Sequence, residues 1–285
     1  MSIYNWEEEK NLLNQERAET SPSELLLAPA PYPIPPYSLL TALQQYIIVL
    51  RAQLSSYRGS WIFQIFISLV IPFALVFSAK SLIGSVNPER AIFLLGGNMA
   101  MSIAFGPTTF LITKLGWSRQ SREFDYWIAL PVPKLTVVIA IISMALIFAL
   151  PGLLGSYLFG SLLLGLPLSG AWVIIFLIPL GVLPLAGVGA LLGTIVPNGQ
   201  AAGLMNNVLL IVVGFLSPMF ISPEQLPGVL QITSLFVPTT YVADAFRAVL
   251  SAHFGANFAF DVIVLVLCSI ICLAVAHWKM EWRII

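Results

Sequence analysis

Between Lys134 and Glu224 the chain has the sequence LTVVIAIISMALIFALPGLLGSYLFGSLLLGLPLSGAWVIIFLIPLGVLPLAGVGALLGTIVPNGQAAGLMNNVLLIVVGFLSPMFISP, without one Asp, Glu, Lys or Arg. This stretch is long enough for about three membrane-crossing helices of roughly 20 residues each. A soluble domain needs charge on its surface and could not bury so much apolar chain. We therefore expect an all-α integral membrane protein.

The composition of the whole chain agrees with this expectation. Hydrophobic residues make up 58% and charged residues 9% of the sequence, whereas a soluble domain carries about 25% charged residues. The formal net charge is zero, so no general basic field points to nucleic acid. Cys268 and Cys272 are the only cysteines. They lie four residues apart in an apolar run, where cysteine acts as a small hydrophobic residue, and we expect neither a disulfide framework nor a metal site.

The chain divides into three parts. Residues 1–37 are polar and then proline-rich, and we expect a disordered cytoplasmic tail. Residues 38–58 have the periodicity of an amphipathic helix in the membrane interface. Residues 59–285 would form a transmembrane domain of six helices. The six predicted spans are Trp61–Ala79, Ala91–Thr113, Leu135–Leu158, Ala171–Val196, Ala201–Phe220 and Phe258–Ala276.

The basic residues predict the orientation. With six spans both termini share one side, and that side would hold ten of the thirteen Lys and Arg residues. The opposite side would hold only Lys80, Arg90 and Arg247. The positive-inside rule therefore predicts that both termini are cytoplasmic.

Two connections are long enough to carry a mechanism. The cytoplasmic connection, residues 114–134, is short and amphipathic; it would be either a helix that docks on a soluble partner or a solvated interfacial loop. The outer connection, residues 217–257, is too short for a domain and too apolar for an aqueous loop, so we expect two short re-entrant helices before the last span. Asp244 and Arg247 lie three residues apart there and can pair on one helical face. An interfacial loop without a gating role is the alternative.

Two motifs in these connections make the chain resemble the membrane subunit of type-2 ABC exporters, the ABC-2 permease family. The first motif lies before span three and comprises Arg119, Asp125, Pro131, Pro133 and Lys134. The second lies before span six and comprises Ser217, Pro223, Leu226, Pro227, Pro238, Tyr241 and Arg247. Gln120, Arg122 and Pro218 depart from residues common in the family. The resemblance covers residues 38–285.

The resemblance implies an energy source outside this chain. The sequence contains no G-x-x-x-x-G-K-[ST] phosphate loop, so ATP and Mg would bind to a partner ATPase subunit. Two permease copies, expected as a homodimer, would join two ATPases. The residues expected to couple the permease to the ATPase are Arg119, Arg122, Glu123, Asp125, Trp127 and Ile128. The residues expected to form the re-entrant gate are Ser217, Pro223, Pro227, Pro238, Tyr241, Asp244 and Arg247.

Polar residues inside the spans are candidates for the substrate pathway, because polar groups in a bilayer tend to face a partner or a cavity. These residues are Asn98, Thr108, Thr109, Asn206 and Asn207. For each one alone, a hydrogen bond between helices is the alternative. We expect no catalytic residue, and an apolar interior favours export of a drug-like or lipid-like amphipath.

Other functions stay open at this point. The first is export of a polysaccharide or a lipid-linked glycan. A non-ABC carrier, a membrane assembly factor and an intramembrane enzyme belong to other classes. His253 and His277 are the only histidines and lie too far apart in sequence to meet on one helix, which disfavours an intramembrane metallohydrolase. The membrane would be a bacterial plasma (inner) membrane or its plastid equivalent.

Overall fold

The computed structural model describes residues 39–83, 87–121, 123, 132–167, 170–216, 228–235 and 237–279. The regular elements among these residues are all helices, joined by turns and short connections, and none of the described residues forms a strand. The helices are α1 (Leu39–Ser55), α2 (Trp61–Ile83), α3 (Pro88–Gln120), α4 (Lys134–Leu164), α5 (Ala171–Ile195), α6 (Gly199–Leu216), α7 (Gly228–Ser234), α8 (Pro238–Leu250) and α9 (Ala256–Lys279). Residues 43–285 form one compact unit, and of residues 1–42 only the first turn of α1 is described.

Among the described residues, four helices are long and apolar enough to cross a membrane: α2, α3, α4 and α5. They coincide with the first four predicted spans. The apolar parts of α6 and α9 that the structure describes are shorter, Gly199–Val213 and Ala256–Cys272. The apolar helices indicate an integral membrane protein. The predicted fifth span continues into residues 217–220, which lie outside the described part, as does the predicted tail 1–37.

The second span is longer than predicted. We placed its end at Thr113, but α3 continues to Gln120, so residues 114–120 of the predicted cytoplasmic connection are helical. Lys114 and Ser118 are buried on α3, and both bond the carboxylate of Glu123, which lies just beyond the end of the helix. Because their polar groups are paired, these residues can be buried in the last turns of a helix.

Helix α1 has both exposed and buried positions among its described side chains. The side chains of Leu43, Ile47 and Leu54 are exposed, whereas Val49 and Gln53 are buried. The exposed leucines are suited to contact lipid, which is still consistent with an interfacial helix.

The third helix, α3, is the centre of the packing and contacts α2, α4, α5, α6 and α8. Glycine allows the closest of these contacts. A Cβ atom on Gly189 of α5 would lie only 2.9 Å from the Cα atom of Thr108 on α3, so the two backbones touch. Small residues let membrane helices approach in this manner. In contrast, α2 is mostly exposed and, among the described helices, packs chiefly on α4 and α3.

The helices define two ends of the molecule. The Gln120 end contains the start of α2, the end of α3, the start of α4 and the turn between α5 and α6. The Arg247 end contains the end of α2, the start of α3, the end of α4, and helix α8. The two ends are tied by different interactions, and each carries one of the predicted functional connections.

Candidate functional site

An ion pair closes the Gln120 end of α3. Lys114 Nζ lies 2.7 Å and 2.9 Å from the two carboxylate oxygens of Glu123, and Ser118 Oγ donates a 2.7 Å hydrogen bond to the same group. The Lys114 side chain is 9% exposed and that of Glu123 is 27% exposed. The chain that follows α3 is therefore folded back onto the helix by a charge-assisted contact. Glu123 was predicted as a coupling residue, whereas Lys114 and Ser118 were not.

The same end of α3 is attached to the turn between α5 and α6. Arg119 donates a 3.2 Å hydrogen bond to the Val196 carbonyl oxygen, and the Gly199 amide donates one of 3.3 Å to the side-chain oxygen of Gln120. A Cβ atom on Gly199 would lie 2.4 Å from the Trp117 ring, so only glycine fits there. Arg119 is thus already hydrogen-bonded within this chain.

Tyr57 completes this end from the α1 side. Its ring lies 5.7 Å from the Phe110 ring and 5.2 Å from the Phe148 ring, centroid to centroid. Burial, and then the negative charge of Glu123, raise the pKa of Tyr57 to about 12. Tyr57 therefore links the interface helix to α3, α4 and the ion pair, and it stays neutral at ordinary pH.

At the Arg247 end, α8 lies across the start of α3. Arg247 pairs with Asp244 at 2.7 Å, as the sequence predicted. Its guanidinium carbon lies 3.6 Å from the centre of the Phe93 ring, and Nε lies 3.4 Å from the Phe93 carbonyl oxygen. A Cβ atom on Gly96 would meet the Arg247 side chain at 2.5 Å. The salt bridge lies within α8 and orients the guanidinium, and the contacts of Arg247 with Phe93 and Gly96 attach α8 to α3.

Helix α7 joins α8 through a tight corner. Thr240 Oγ1 donates a 2.7 Å hydrogen bond to the Ser234 carbonyl oxygen, and Tyr241 donates one of 2.8 Å to the Leu235 carbonyl oxygen. Pro238 stands at the first turn of α8, where its missing N–H is not needed. Two short helices thus precede α9, and Tyr241 acts as a hydrogen-bond donor within this corner.

A cavity of about 230 Å³ lies between α2, α3 and α4, and Asn98 and Thr109 are among its lining residues. Asn98 Nδ2 donates a 3.2 Å hydrogen bond to the Pro72 carbonyl oxygen, while its buried Oδ1 has no partner among the described residues. Nearby, Ser102 Oγ and Ser156 Oγ lie 2.7 Å apart. The cavity is therefore apolar with a polar stripe.

The other predicted pathway residues have different surroundings. Thr108 donates a 3.2 Å hydrogen bond to the Leu185 carbonyl oxygen on α5, and Asn206 Nδ2 donates one of 3.0 Å to Thr113 on α3. Both bonds join two helices. Asn207 is exposed on α6. Of the five predicted pathway residues, Asn98 and Thr109 share the cavity between α2, α3 and α4, while Thr108 and Asn206 bond neighbouring helices.

Several predicted residues lie outside the described part of the chain. They are Arg122, Asp125, Trp127 and Ile128 of the coupling segment and Ser217, Pro223 and Pro227 of the gate. Within the described residues, no group of three or more His, Cys, Asp or Glu side chains is placed to hold a metal ion.

Sequence reasoning missed two polar groups. Ser102 and Ser156 were hidden among many serines of the spans, and no spacing rule links residues on two helices. Asp261, near the start of α9, is also buried, with 7% of the residue exposed, and it lines a cavity beside α8. An acidic residue one turn into an apolar helix is the signal that could have marked it.

These features define the class: a polytopic helical membrane protein whose central span is clamped at both ends beside two short connecting segments. A family model described as "ABC-2 type transporter" matches residues 44–251. The chain therefore belongs to the ABC-2 type transporter family, and it is an ABC transporter permease component. The family membership implies association with an ABC ATPase subunit. No curated protein matches the chain in a sequence search.

Proposed function

We propose that this chain is the permease subunit of an ATP-driven exporter for an amphipathic, drug-like or lipid-like substrate. A separate ATPase would bind the segment that follows Gln120, and both termini would be cytoplasmic, with six spans and a re-entrant hairpin formed by α7 and α8. The observation that carries the proposal is the Lys114–Glu123 pair, which anchors the start of the coupling segment to α3. Force on that segment would reach α3 directly.

The uneven burial of the spans supports the proposal that one helix, α2, moves relative to the others. Helices α3, α4 and α5 are well buried, whereas α2 is mostly exposed. Pro72 interrupts α2 beside the 230 Å³ cavity, and proline removes the hydrogen bond to the carbonyl group of Ser68. We propose that α2 moves relative to α3 and α4 during transport, and that its exposed apolar face contacts a second copy of the chain.

The first test is partner capture. The tagged full chain is solubilised in a mild detergent, and co-purifying proteins are identified by mass spectrometry and assayed for ATP hydrolysis. We expect an ABC ATPase to co-purify and to be lost when Arg119 and Asp125 are both reversed in charge. Arg58→Glu is the matched control, because Arg58 is exposed near the same end. A chain that purifies without any ATPase would refute the proposal and favour a carrier or an assembly factor.

A second test concerns the movement of α2. A Cβ atom on Gly152 would lie 3.6 Å from the Cβ atoms of both Ser68 on α2 and Ser102 on α3, a distance that suits a disulfide. In a background without Cys268 and Cys272, we expect the Ser68→Cys/Gly152→Cys bridge to block ATP-driven transport until it is reduced.

The Ser102→Cys/Gly152→Cys bridge uses the same α4 position and joins helices that we expect to move together. It should leave transport largely intact. Equal inhibition by both bridges would contradict a moving α2.

Export of a glycan is a weaker second candidate. The cavity between α2, α3 and α4 is lined chiefly by apolar side chains. Its polar lining residues are Gln64, Ser68, Asn98, Ser102 and Thr109. Such a surface favours the apolar part of an amphipath over a sugar chain.

A further inference from the structure

A second cavity lies at the Arg247 end, between the end of α8 and the start of α9. Its volume is about 570 Å³, and its lining includes Asp244, His253, Asn257, Phe258, Phe260 and Asp261. This volume falls within the roughly 300–1,000 Å³ typical of small-molecule sites. The cavity is separate from the cavity between α2, α3 and α4.

The carboxylate of Asp261 is the unusual feature of this cavity. Asp261 is 7% exposed, and within the described ranges it has neither a hydrogen bond nor an ion pair. The other acidic residue of the lining, Asp244, is paired with Arg247 and its side chain is 42% exposed. A carboxylate on a largely buried residue, facing a cavity and without a bonded partner, favours a cation or a proton beside it.

The aromatic lining indicates which kind of cation fits. Phe258 packs against Phe254 with ring centroids 5.3 Å apart, and Phe260 packs against Tyr241 at 6.3 Å. Each pair meets edge to face. Aromatic faces attract organic cations and also contact an apolar body. A hard metal ion would need more oxygen ligands in one place, and the described residues offer no such group.

We propose that this cavity binds a monovalent organic cation with an aromatic or aliphatic body, with Asp261 as its counter-ion. This proposal rests on the proposed export function. If that function holds, the proposal narrows the substrate class from amphipathic molecules in general to cationic amphipathic molecules. The cavity lies beside Asp244, which pairs with Arg247 on α8, and Arg247 in turn contacts Phe93 on α3. Occupancy of the cavity would therefore be coupled to the connection before α9.

The test uses the purified full chain in lipid nanodiscs, without any ATPase. Radiolabelled tetraphenylphosphonium serves as the cation, and tetraphenylborate serves as an anion of closely similar shape. We expect saturable binding of the cation, at least tenfold weaker binding of the anion, and at least a tenfold loss of cation affinity in Asp261→Asn. Glu89→Gln is the matched control, because Glu89 is an exposed acid at the same end, and it should bind normally.

A second variant tests the space in the cavity independently of the charge at Asp261. Ala248 also lines the cavity, and Ala248→Leu would reduce the space without changing any charge, so it should also weaken binding of the cation. Unchanged binding in both Asp261→Asn and Ala248→Leu would overturn the proposal, as would displacement of the probe by millimolar Mg²⁺ alone. Since this assay needs no ATPase, its failure is distinguishable from a failure of partner capture.

Discussion

Neutralising Glu123 should destabilise the protein more than neutralising Lys114, although the two residues form one ion pair. In Glu123→Gln the Lys114 ammonium stays charged in a site where its side chain is 9% exposed. In Lys114→Met the remaining carboxylate keeps the Ser118 hydroxyl and is 27% exposed to solvent. The group left behind is therefore better solvated in the second case.

The structure sets the size of these effects. Removing one partner of a fully buried pair costs about 3–5 kcal/mol, and an exposed pair contributes about 0.2–1 kcal/mol. The pair at Lys114 and Glu123 lies between these limits. We expect a loss of about 3 kcal/mol for Glu123→Gln and about 1.5 kcal/mol for Lys114→Met. The double variant should lose about 2 kcal/mol, because neither charge is then left alone.

The measurement is a double-mutant cycle on the free energy of unfolding, from titration with SDS in mixed micelles. The expected values give an interaction energy of about 2.5 kcal/mol. Arg58→Met is the control for loss of one positive charge at an exposed position and should change the free energy by less than about 0.5 kcal/mol. An interaction energy below about 0.5 kcal/mol would show that the pair does not hold the coupling segment on α3.

Two further predictions concern packing and pH. Gly189→Ala should lower the free energy of unfolding by about 1–3 kcal/mol, because the added methyl group would lie 2.9 Å from the backbone of Thr108. The control is Gly203→Ala, where no atom lies within 4 Å of the added methyl group, and its free energy of unfolding should change by less than about 0.5 kcal/mol. Equal effects of the two substitutions would contradict the close contact at Gly189. The raised pKa of Tyr57, about 12, stabilises the fold fully below the unfolded value near 10, and this contribution is lost as pH rises from 10 to 12. Tyr57→Phe should flatten the pH dependence of the free energy of unfolding in that window, and an unchanged slope would refute the assignment.

The sequence predicts the first four spans well because the bilayer imposes a simple requirement. Every backbone group in lipid must be bonded within the segment, so long apolar runs become helices whatever their neighbours are. The start of α5 at Ala171 follows from this rule alone. The i,i+3 pair of Asp244 and Arg247 was equally predictable, because both partners lie on one helix.

The end of α3 and the partners of buried polar groups depend on tertiary contacts instead. Lys114 resembled the first residue of a cytoplasmic loop, since an isolated lysine after an apolar run usually marks a membrane boundary. Its burial becomes favourable only because Glu123 returns to it, nine residues later. Gln53 and Asp261 are buried by residues of other helices. A single sequence does not show which helices will be neighbours.

The two clamps on α3 have different chemistry, and this difference decides where the helix is able to respond. At the Arg247 end, α8 is held by a buried guanidinium that bonds a backbone carbonyl group and covers the Phe93 ring, contacts that do not depend on the chain beyond α8. At the Gln120 end, the ion pair is formed by Glu123, which belongs to the connection that would bind the ATPase. Movement of that connection would pull on Lys114, while the opposite end of α3 stays attached to α8. A displacement applied at one end would then tilt α3 about the Arg247 end, with the largest shift beside Tyr57 and the start of α2.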